Sequence, residues 1–273
     1  MSAGGDQVFL PWLDHWRLSP DGEPFTTRFG SHLLPVLKDG ALAMLKIAGG
    51  EEEARGGALM EWWGGDGAAH VFARDDKALL LERLTGERCL AAMARGGEDD
   101  AATKILCQTV GRLHTERAAP PPETLVPLPI WFRDLAPAAD RHGGIFVRAH
   151  QAARELLASA HQPVVLHGDV HHDNVLDGGS RGWLAIDPKG LIGERGFDYA
   201  NLLCNPGVEI AGAPGQLRRR VGIVAREAKL EAKRILTWAL AWTGLSASWT
   251  LQDGDDPYQA LAIAEIAAAE LEA

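Results

Sequence analysis

The sequence is poor in cysteine and has no excess of positive charge, and each shortage excludes a class of protein. Its three cysteines, Cys89, Cys107 and Cys204, are far apart and odd in number, so neither a disulfide framework nor a CxxC metal site is predicted. The net charge of −10 at pH 7 argues against a nucleic-acid partner, because phosphates are bound by basic surfaces. That charge is compatible with a small cationic substrate, although it would serve solubility equally well.

The sequence also lacks a hydrophobic leader and a convincing membrane segment. The N-terminal residues MSAGGDQVFLPWLDHW contain no basic region followed by an apolar run, so we predict no signal peptide and expect a cytoplasmic protein. From Ile235 to Gln252 no residue is charged, which approaches the roughly 20 residues of a membrane helix, but five serines and threonines interrupt the run. We therefore expect a buried helix there, and a protein that contacts no membrane.

The pattern of apolar residues changes near residue 85. Before it, short strand-like runs dominate, and two of them, Leu33 to Leu37 and Ala41 to Ile47, flank the hairpin signal Asp39-Gly40. Further strand-like runs cover 68–73 and 78–84, and the segment EEEARGGALMEWW between them and the hairpin is typical of a helix with an acidic first turn.

Helical periodicity prevails after residue 85. It is clear in AATKILCQTVGRLHTERA, in FVRAHQAARELLASA and in the alanine-rich tail. These patterns predict an α+β protein with a small strand-rich N-terminal lobe, residues 1–84, and a larger helical C-terminal lobe, residues 85–273.

The stretch VVLHGDVHHDNVLDGGSRGWLAIDPKG, Val164 to Gly190, concentrates the polar side chains that can do chemistry. Apolar runs flank DGGSRG and predict a hairpin whose opposed residue numbers sum to about 361, which pairs Asn174 with Asp187. Opposed Cβ atoms lie roughly 4.5 to 5.5 Å apart, so one Mg²⁺ ion could be held by these two oxygen ligands. Asp169 would stand on the loop entering that site, where it could take a proton from a hydroxyl group.

Two alternatives remain for this stretch. His167, His171 and His172 could bind zinc in a metal-dependent hydrolase, but adjacent histidines on an extended segment point in opposite directions. The polar groups could also be no more than a solvated loop held by histidine hydrogen bonds.

These residues carry a family resemblance. HGDVHHDN followed by IDP resembles the catalytic loop and metal-binding segment of the aminoglycoside phosphotransferases, relatives of the protein kinases. RGWLAIDPKGLIGERGFDYANLLCNP is similar in particular to their streptomycin 6-phosphotransferase branch, which includes enzymes assigned to hydroxyurea. The resemblance implies a two-lobed protein-kinase-like fold, ATP and Mg²⁺ as cofactors, and transfer of a phosphoryl group to the 6-hydroxyl of streptomycin, hence antibiotic resistance.

The resemblance also implies roles for single residues. Asp169 matches the catalytic aspartate, Asn174 and Asp187 match the Mg²⁺ ligands, and Lys46 matches the lysine that contacts the α and β phosphates. A helix acid normally holds this lysine, and Glu53 is the first choice for it, with Glu61 as the second.

The nucleotide loop departs from the protein kinases, because TRFGSHL stands where they have GxGxxG. Phosphate contacts would then come from backbone amides around Gly30 and from the hydroxyl of Ser31. The connection from Glu82 to Leu84 would offer backbone groups to adenine.

An acceptor that carries guanidinium groups would need acidic partners, since hydrogen bonds between ions are strong and directional. The candidates are Glu194, Asp198 and Asp253, with Asp255 and Asp256 beside the last, although Asp198 could instead tie the catalytic loop in place. The tryptophans of WALAWTGLSASW are more typical of a helix core than of a sugar platform. We expect a monomer. A kinase of hydroxyurea or of another small hydroxylated metabolite and a catalytically silent nucleotide-binding module are the remaining alternatives.

Overall fold

A computed structural model of the protein describes residues 6–27, 30–75 and 77–273. The strands are β1 (Leu18–Pro20), β2 (Phe25–Thr26), β3 (His32–Lys38), β4 (Ala41–Ile47), β5 (Val71–Asp75), β6 (Ala78–Glu82), β7 (Val126–Pro127), β8 (Pro163–Leu166), β9 (Val175–Asp177), β10 (Trp183–Ala185) and β11 (Leu191–Glu194). The helices are α1 (Leu10–Trp16), α2 (Glu51–Trp63), α3 (Leu90–Met93), α4 (Asp99–Leu113), α5 (Leu128–Trp131), α6 (Leu135–His142), α7 (Gly144–Ala158), α8 (Val208–Ala211), α9 (Gln216–Ala228), α10 (Ala232–Gln252) and α11 (Tyr258–Glu272). The predicted α+β class, with strands first and helices after, is confirmed.

The N-terminal lobe is built on an antiparallel sheet in the order β1-β3-β4-β6-β5, with β2 beside β3. The predicted hairpin is present between β3 and β4, and Asp39 and Gly40 both have positive φ, as a two-residue hairpin turn of this kind requires. Lys46 lies on β4 between partners on both sides, Leu33 of β3 and Leu79 of β6. A central strand therefore holds the backbone of this lysine in place.

Two details of this lobe differ from the sequence prediction. A helix, α1, precedes the first strand, and no periodicity in the sequence predicted it. The strand expected at 68–73 is observed at 71–75, because the N–H of Ala69 donates to the carbonyl of Ala185 at 3.0 Å and so binds the end of β10 instead. The strand expected to reach residue 84 ends at Glu82.

The C-terminal lobe is a helical assembly around α10, which packs against α7, α9 and α11. The uncharged run that raised the question of a membrane is α10, and its buried residues include Trp238 and Leu245. None of the helices in the described ranges has the length and apolarity needed to cross a bilayer. The prediction of a buried helix at this position is confirmed.

Helix α2 belongs to the first lobe but shares its apolar core with the second. Leu59, Met60 and Trp63 lie in the same buried cluster as Leu166 and Leu191. Residues 83–86 between the lobes have no regular secondary structure, and we propose the lobe boundary there, at 84/85. The packing of α2 places the sheet of one lobe against the segments of the other that carry Leu166 and Leu191.

Candidate active site

A loop between β8 and β9 carries Asp169, and Asp198 fixes the start of this loop. The carboxylate of Asp198 accepts the N–H groups of His167 at 2.9 Å and Gly168 at 2.7 Å, and it contacts His114 Nε2 at 2.8 Å. Gly168 has φ +84°, and a Cβ there would lie 2.7 Å from a methyl group of Leu191, so no other residue fits. The prediction of Asp198 as an acceptor ligand is therefore wrong, and its structural alternative holds, because all its oxygens face the inside of the fold.

The three histidines of the loop do not form a zinc site. The Nδ1 atom of His167 accepts the N–H of Asp169 at 3.2 Å, which leaves Nε2 as the donor to the carbonyl of Ile186 at 2.9 Å. Burial lowers the pKa of His167 and lowers that of His172 to about 3, so both rings are neutral. In the described part of the chain no three His, Cys, Asp or Glu side chains are grouped as metal ligands would be.

Two asparagines orient the carboxylate of Asp169. Asn201 Nδ2 donates to Oδ1 at 2.7 Å, and Asn174 Nδ2 donates to Oδ2 at 3.2 Å and to the Asp169 carbonyl at 2.9 Å. The amide of Asn201 can stand only one way round, because its Oδ1 accepts the indole N–H of Trp242 at 3.0 Å and an indole cannot accept. No sequence pattern singled out Asn201.

Asn174 and Asp187 come together in a way that the predicted register did not anticipate. Strands β9 and β10 pair Val175 with Ala185, so opposed numbers sum to 360, and the expected pairing of Asn174 with Asp187 is wrong by one residue. The backbone carbonyl of Asn174 instead accepts the N–H of Ile186 at 2.9 Å. Asp187 follows with φ 57°, a left-handed conformation that turns its carboxylate into the cleft.

The donor chemistry at these two residues suits Mg²⁺. Since Asn174 Nδ2 is engaged by Asp169, the amide oxygen of Asn174 is oriented away from that contact, and the carboxylate of Asp187 lines the same cavity. Two protein oxygens, with the other positions left to phosphates and water, are the set that Mg²⁺ takes in phosphotransfer sites.

Lys46 is buried and ion-paired on the floor of the cleft. Its Nζ donates to Asp187 Oδ1 at 2.8 Å and lies 3.8 Å from Glu53 Oε1. The other oxygen of Glu53 accepts the N–H of Gly49 at 2.9 Å. Glu61, the second choice for this partner, pairs with Arg74 at 2.9 Å instead. Of the two helix acids considered, the one beside Lys46 is therefore Glu53, on the first turn of α2.

A small cavity of about 200 Å³ is lined by Lys46, Glu53, Asp169, Asn174 and Asp187 together with Thr27, the first residue of TRFGSHL. Ser31 does not line it. Its side chain is 0% exposed, its N–H donates to Thr27 Oγ1 at 3.1 Å, and its hydroxyl accepts the N–H of Gly49 at 3.3 Å. The prediction of Ser31 as a phosphate ligand is wrong, because the hydroxyl is used to hold the loop.

Of the backbone groups from Glu82 to Leu84 that were predicted to contact adenine, some already have partners inside the protein. The N–H of Glu82 donates to the carbonyl of His70 at 2.8 Å, and its carboxylate is engaged by Arg181. Leu84 packs half-buried against the main core. The carbonyl of Glu82 and the backbone of Leu84 stay predictions as partners of adenine.

A second, larger cavity of about 1100 Å³ opens on the other side of Asp169. Acidic and aromatic side chains share its wall, namely Asp134, Asp253, Asp255, Asp256, Trp131, Trp242 and Trp249. Trp249 donates its indole N–H to Asp134 at 3.0 Å, which fixes an aromatic face beside a carboxylate. Trp238 lies in the core as predicted, whereas Trp242 and Trp249 pack in the core and also border this cavity.

Among the predicted acceptor ligands, Asp253 lines this cavity and Glu194 does not. Glu194 is 1% exposed, pairs with Arg234 at 2.6 Å, and accepts the indole N–H of Trp238 at 3.1 Å. Its prediction as an acceptor ligand is wrong, since its charge is neutralised inside the C-terminal lobe. Asp134 and Trp131, which the sequence did not single out, lie before α6 and on α5 and reach the cavity only through the tertiary fold.

Comparison with known proteins assigns this arrangement to a family. Residues 15–254 match the family model described as aminoglycoside/hydroxyurea antibiotic resistance kinase. The chain belongs to this family. The kinase is 49% identical over 247 residues to streptomycin 3''-kinase from Klebsiella pneumoniae, with 89% of this chain and 92% of that protein covered. It is 33% identical to streptomycin 6-kinase from Streptomyces griseus, covering 98% and 89%, and 30% identical to hydroxyurea phosphotransferase from Kitasatospora aureofaciens, covering 93% and 76%.

Solved structures confirm the protein-kinase-like fold of this kinase. Choline kinase from Cryptosporidium parvum aligns with a TM-score of 0.67 at 11% identity, covering 97% of this chain and 95% of that one. An aminoglycoside phosphotransferase in ternary complex with ADP and hygromycin B aligns with a TM-score of 0.66 at 12% identity, covering 96% and 98%. An ATP-dependent phosphotransferase is the activity that the family supports.

Proposed function

We propose that this kinase transfers the γ-phosphoryl group of ATP, with Mg²⁺, to the 6-hydroxyl of streptomycin. The observation that carries the proposal is the position of Asp169, which lines both the small cavity with Lys46 and Asp187 and the large cavity with its acids and tryptophans. A base at the junction of a phosphate site and an acceptor site is the arrangement that in-line transfer requires.

The chemistry follows from the groups around this junction. Asp169 accepts the proton of the acceptor hydroxyl on Oδ2, because its hydrogen bond to Asn174 is the longer one at 3.2 Å, whereas Asn201 holds Oδ1 at 2.7 Å. Lys46 leaves its pairing with Asp187 to contact the α and β phosphates, while Glu53 keeps it positioned. Mg²⁺, held by Asn174 and Asp187, would supply the positive charge that the β and γ phosphates need.

The large cavity suits the guanidinium-bearing ring of streptomycin. Planar guanidinium groups stack on aromatic rings and bind carboxylates through paired hydrogen bonds. The pair of Trp249 and Asp134 offers both surfaces side by side, and Asp253, Asp255 and Asp256 add acceptors on the wall. The 6-hydroxyl belongs to this ring, so binding the ring here supports the proposal of that hydroxyl as the acceptor.

The relatives carry names for two different hydroxyls of streptomycin, and this makes the position the first thing to test. The purified kinase is incubated with Mg²⁺-ATP and streptomycin, and the product is analysed by phosphorus-proton correlation NMR. Coupling of phosphorus to H-6 is the expected result. Coupling to H-3'' would replace the proposed position and leave the kinase assignment intact.

An alternative acceptor, hydroxyurea, is suggested by one relative's name. Hydroxyurea carries no cation, so it would leave the carboxylates of the large cavity without partners. ATP consumption against streptomycin, other aminoglycosides, simple sugars and hydroxyurea separates these acceptors, and absence of turnover with every one of them would favour a silent nucleotide-binding module. A cytoplasmic location, where ATP is supplied, and a monomeric state complete the proposal.

A further inference from the structure

Lys189 has no part in the mechanism above, yet its ammonium group lies at the centre of the site. Its Nζ is 3.8 Å from Asp169 Oδ2 and 2.8 Å from Glu52 Oε1. Of the described residues, four border both the small and the large cavity: Glu52, Glu53, Asp169 and Lys189. Lys189 is the one cation of these four, so it stands where nucleotide and acceptor meet.

The transferred phosphoryl group has to pass through this junction. In the transfer the acceptor oxygen forms a new bond to γ-phosphorus, the bond from γ-phosphorus to the β–γ bridging oxygen breaks, and ADP leaves. The proton of the acceptor goes to Asp169. The negative charge on the three γ-oxygens needs a positive partner that reaches the same point as the base.

We propose that Lys189 is a catalytic residue that binds the γ-phosphoryl oxygens during transfer, an inference that rests on the proposed phosphotransferase function. Lys46 meets the α and β phosphates from the N-terminal lobe, whereas Lys189 meets the γ-phosphate from the side of Asp169. Lys189 neither gains nor loses a proton in the reaction.

The backbone of Lys189 is held so that only its side chain has to move. Its N–H donates to the carbonyl of His167 at 2.7 Å, and its carbonyl accepts Arg55 Nε at 3.1 Å. Glu52, on α2, keeps the ammonium group paired when no phosphate is bound. A γ-phosphate carries more negative charge than one carboxylate, and its arrival would draw the lysine from Glu52 without moving the chain.

The two lysines can be separated by nucleotide affinity. Binding of ADP and of a non-hydrolysable ATP analogue, both with Mg²⁺, is measured by calorimetry for wild type, Lys189→Met and Lys46→Met. We expect Lys189→Met to weaken binding of the ATP analogue about tenfold or more, which is the affinity that one hydrogen bond between charged groups contributes. ADP binding should change little, because ADP has no γ-phosphate. Lys46→Met should weaken both nucleotides alike.

Turnover and a matched variant test the alternative that Lys189 only joins the lobes through Glu52. Lys189→Met is expected to lower kcat on the order of 10²-fold, the usual loss of one electrostatic donor, and Lys189→Arg to restore part of it. Glu52→Gln breaks the same ion pair and should affect kcat far less. Its affinity for the ATP analogue relative to that for ADP, the nucleotide selectivity, should stay as in the wild type. If Glu52→Gln reproduces both defects of Lys189→Met, or if Lys189→Met keeps the selectivity and kcat of the wild type, the inference is overturned. The binding measurement needs no acceptor, so a wrong streptomycin assignment would not affect it.

Discussion

The hydrogen bond from Asn201 to Asp169 allows a test of how this kinase aligns its proposed base. Asn201→Asp keeps the size of the side chain and still offers an oxygen to the Trp242 indole, so only the contact with Asp169 changes. The 2.7 Å hydrogen bond to a charged oxygen becomes a pair of carboxylates at the same distance. Loss of a hydrogen bond to a charged group costs about 1.5–3 kcal/mol, which is about 10- to 150-fold in rate, and the repulsion adds to it.

We therefore expect kcat of Asn201→Asp to fall by about 10²-fold or more, and Asn201→Ala to fall by the smaller amount that the lost hydrogen bond alone explains. The assay is coupled ADP release with the accepted substrate from pH 6 to 9, with thermal unfolding to confirm the fold. A kcat within threefold of the wild type at every pH would refute this account of how Asp169 is aligned.

Four further outcomes follow from the same contacts. Asp169→Ala should lower kcat by a general-base factor on the order of 10²–10⁴ with ATP affinity retained, and turnover like that of the wild type would contradict its role. Asp187→Ala should flatten the dependence of the rate on Mg²⁺, and an unchanged titration would argue against metal binding there. Gly56→Ala would place a Cβ 2.1 Å from the carbonyl oxygen of Pro188, so α2 must shift and the free energy of unfolding should fall by about 1–3 kcal/mol. The control Gly57→Ala meets only ordinary contacts of 3.4 Å or more and should be neutral or stabilising. Equal unfolding midpoints of the two variants in urea would contradict this. Burial alone would raise the pKa of Glu194, but the hydrogen bonds from Arg234 and Trp238 outweigh it, and the pKa lies below its ordinary value. The stability that Glu194 adds is therefore present above about pH 4.3 and is lost as the pH falls through the lowered pKa. Glu194→Gln should lose less stability on acidification, and parallel curves of stability against pH for the variant and the wild type would contradict this.

The residues that the sequence proposed for catalysis and metal binding belong to short, local segments. Asp169, Asn174 and Asp187 lie on one loop and the hairpin that follows it, where strand ends can be read from apolar runs. Even there the register was wrong by one residue, because five residues, 178–182, join the two strands and the hairpin is centred on Ser180 instead of between Ser180 and Arg181. Lys46 was assigned through the family resemblance, and in the structure it lies on β4 within reach of Asp187.

The acids chosen for the acceptor show where sequence reasoning fails. Glu194 and Asp198 follow the metal-binding segment closely, and their charge is compatible with a cationic ligand. In the fold they point inward, Glu194 to Arg234 and Asp198 to the catalytic loop and His114. A sequence records that an acid is present, but its direction depends on cations brought from distant helices.

The sequence by itself determined the two-part architecture, the family and the stretch that carries Asp169, Asn174 and Asp187, because each of these depends on periodicity or on residues close together in the chain. Only the tertiary structure decided what surrounds Asp169. Asn201 and the pair of Trp131 and Asp134 come from segments distant from the loop, and Lys189 meets Asp169 although 19 intervening residues separate them. Contacts of this kind depend on how helices dock against the core, and no local pattern in the chain encodes that docking.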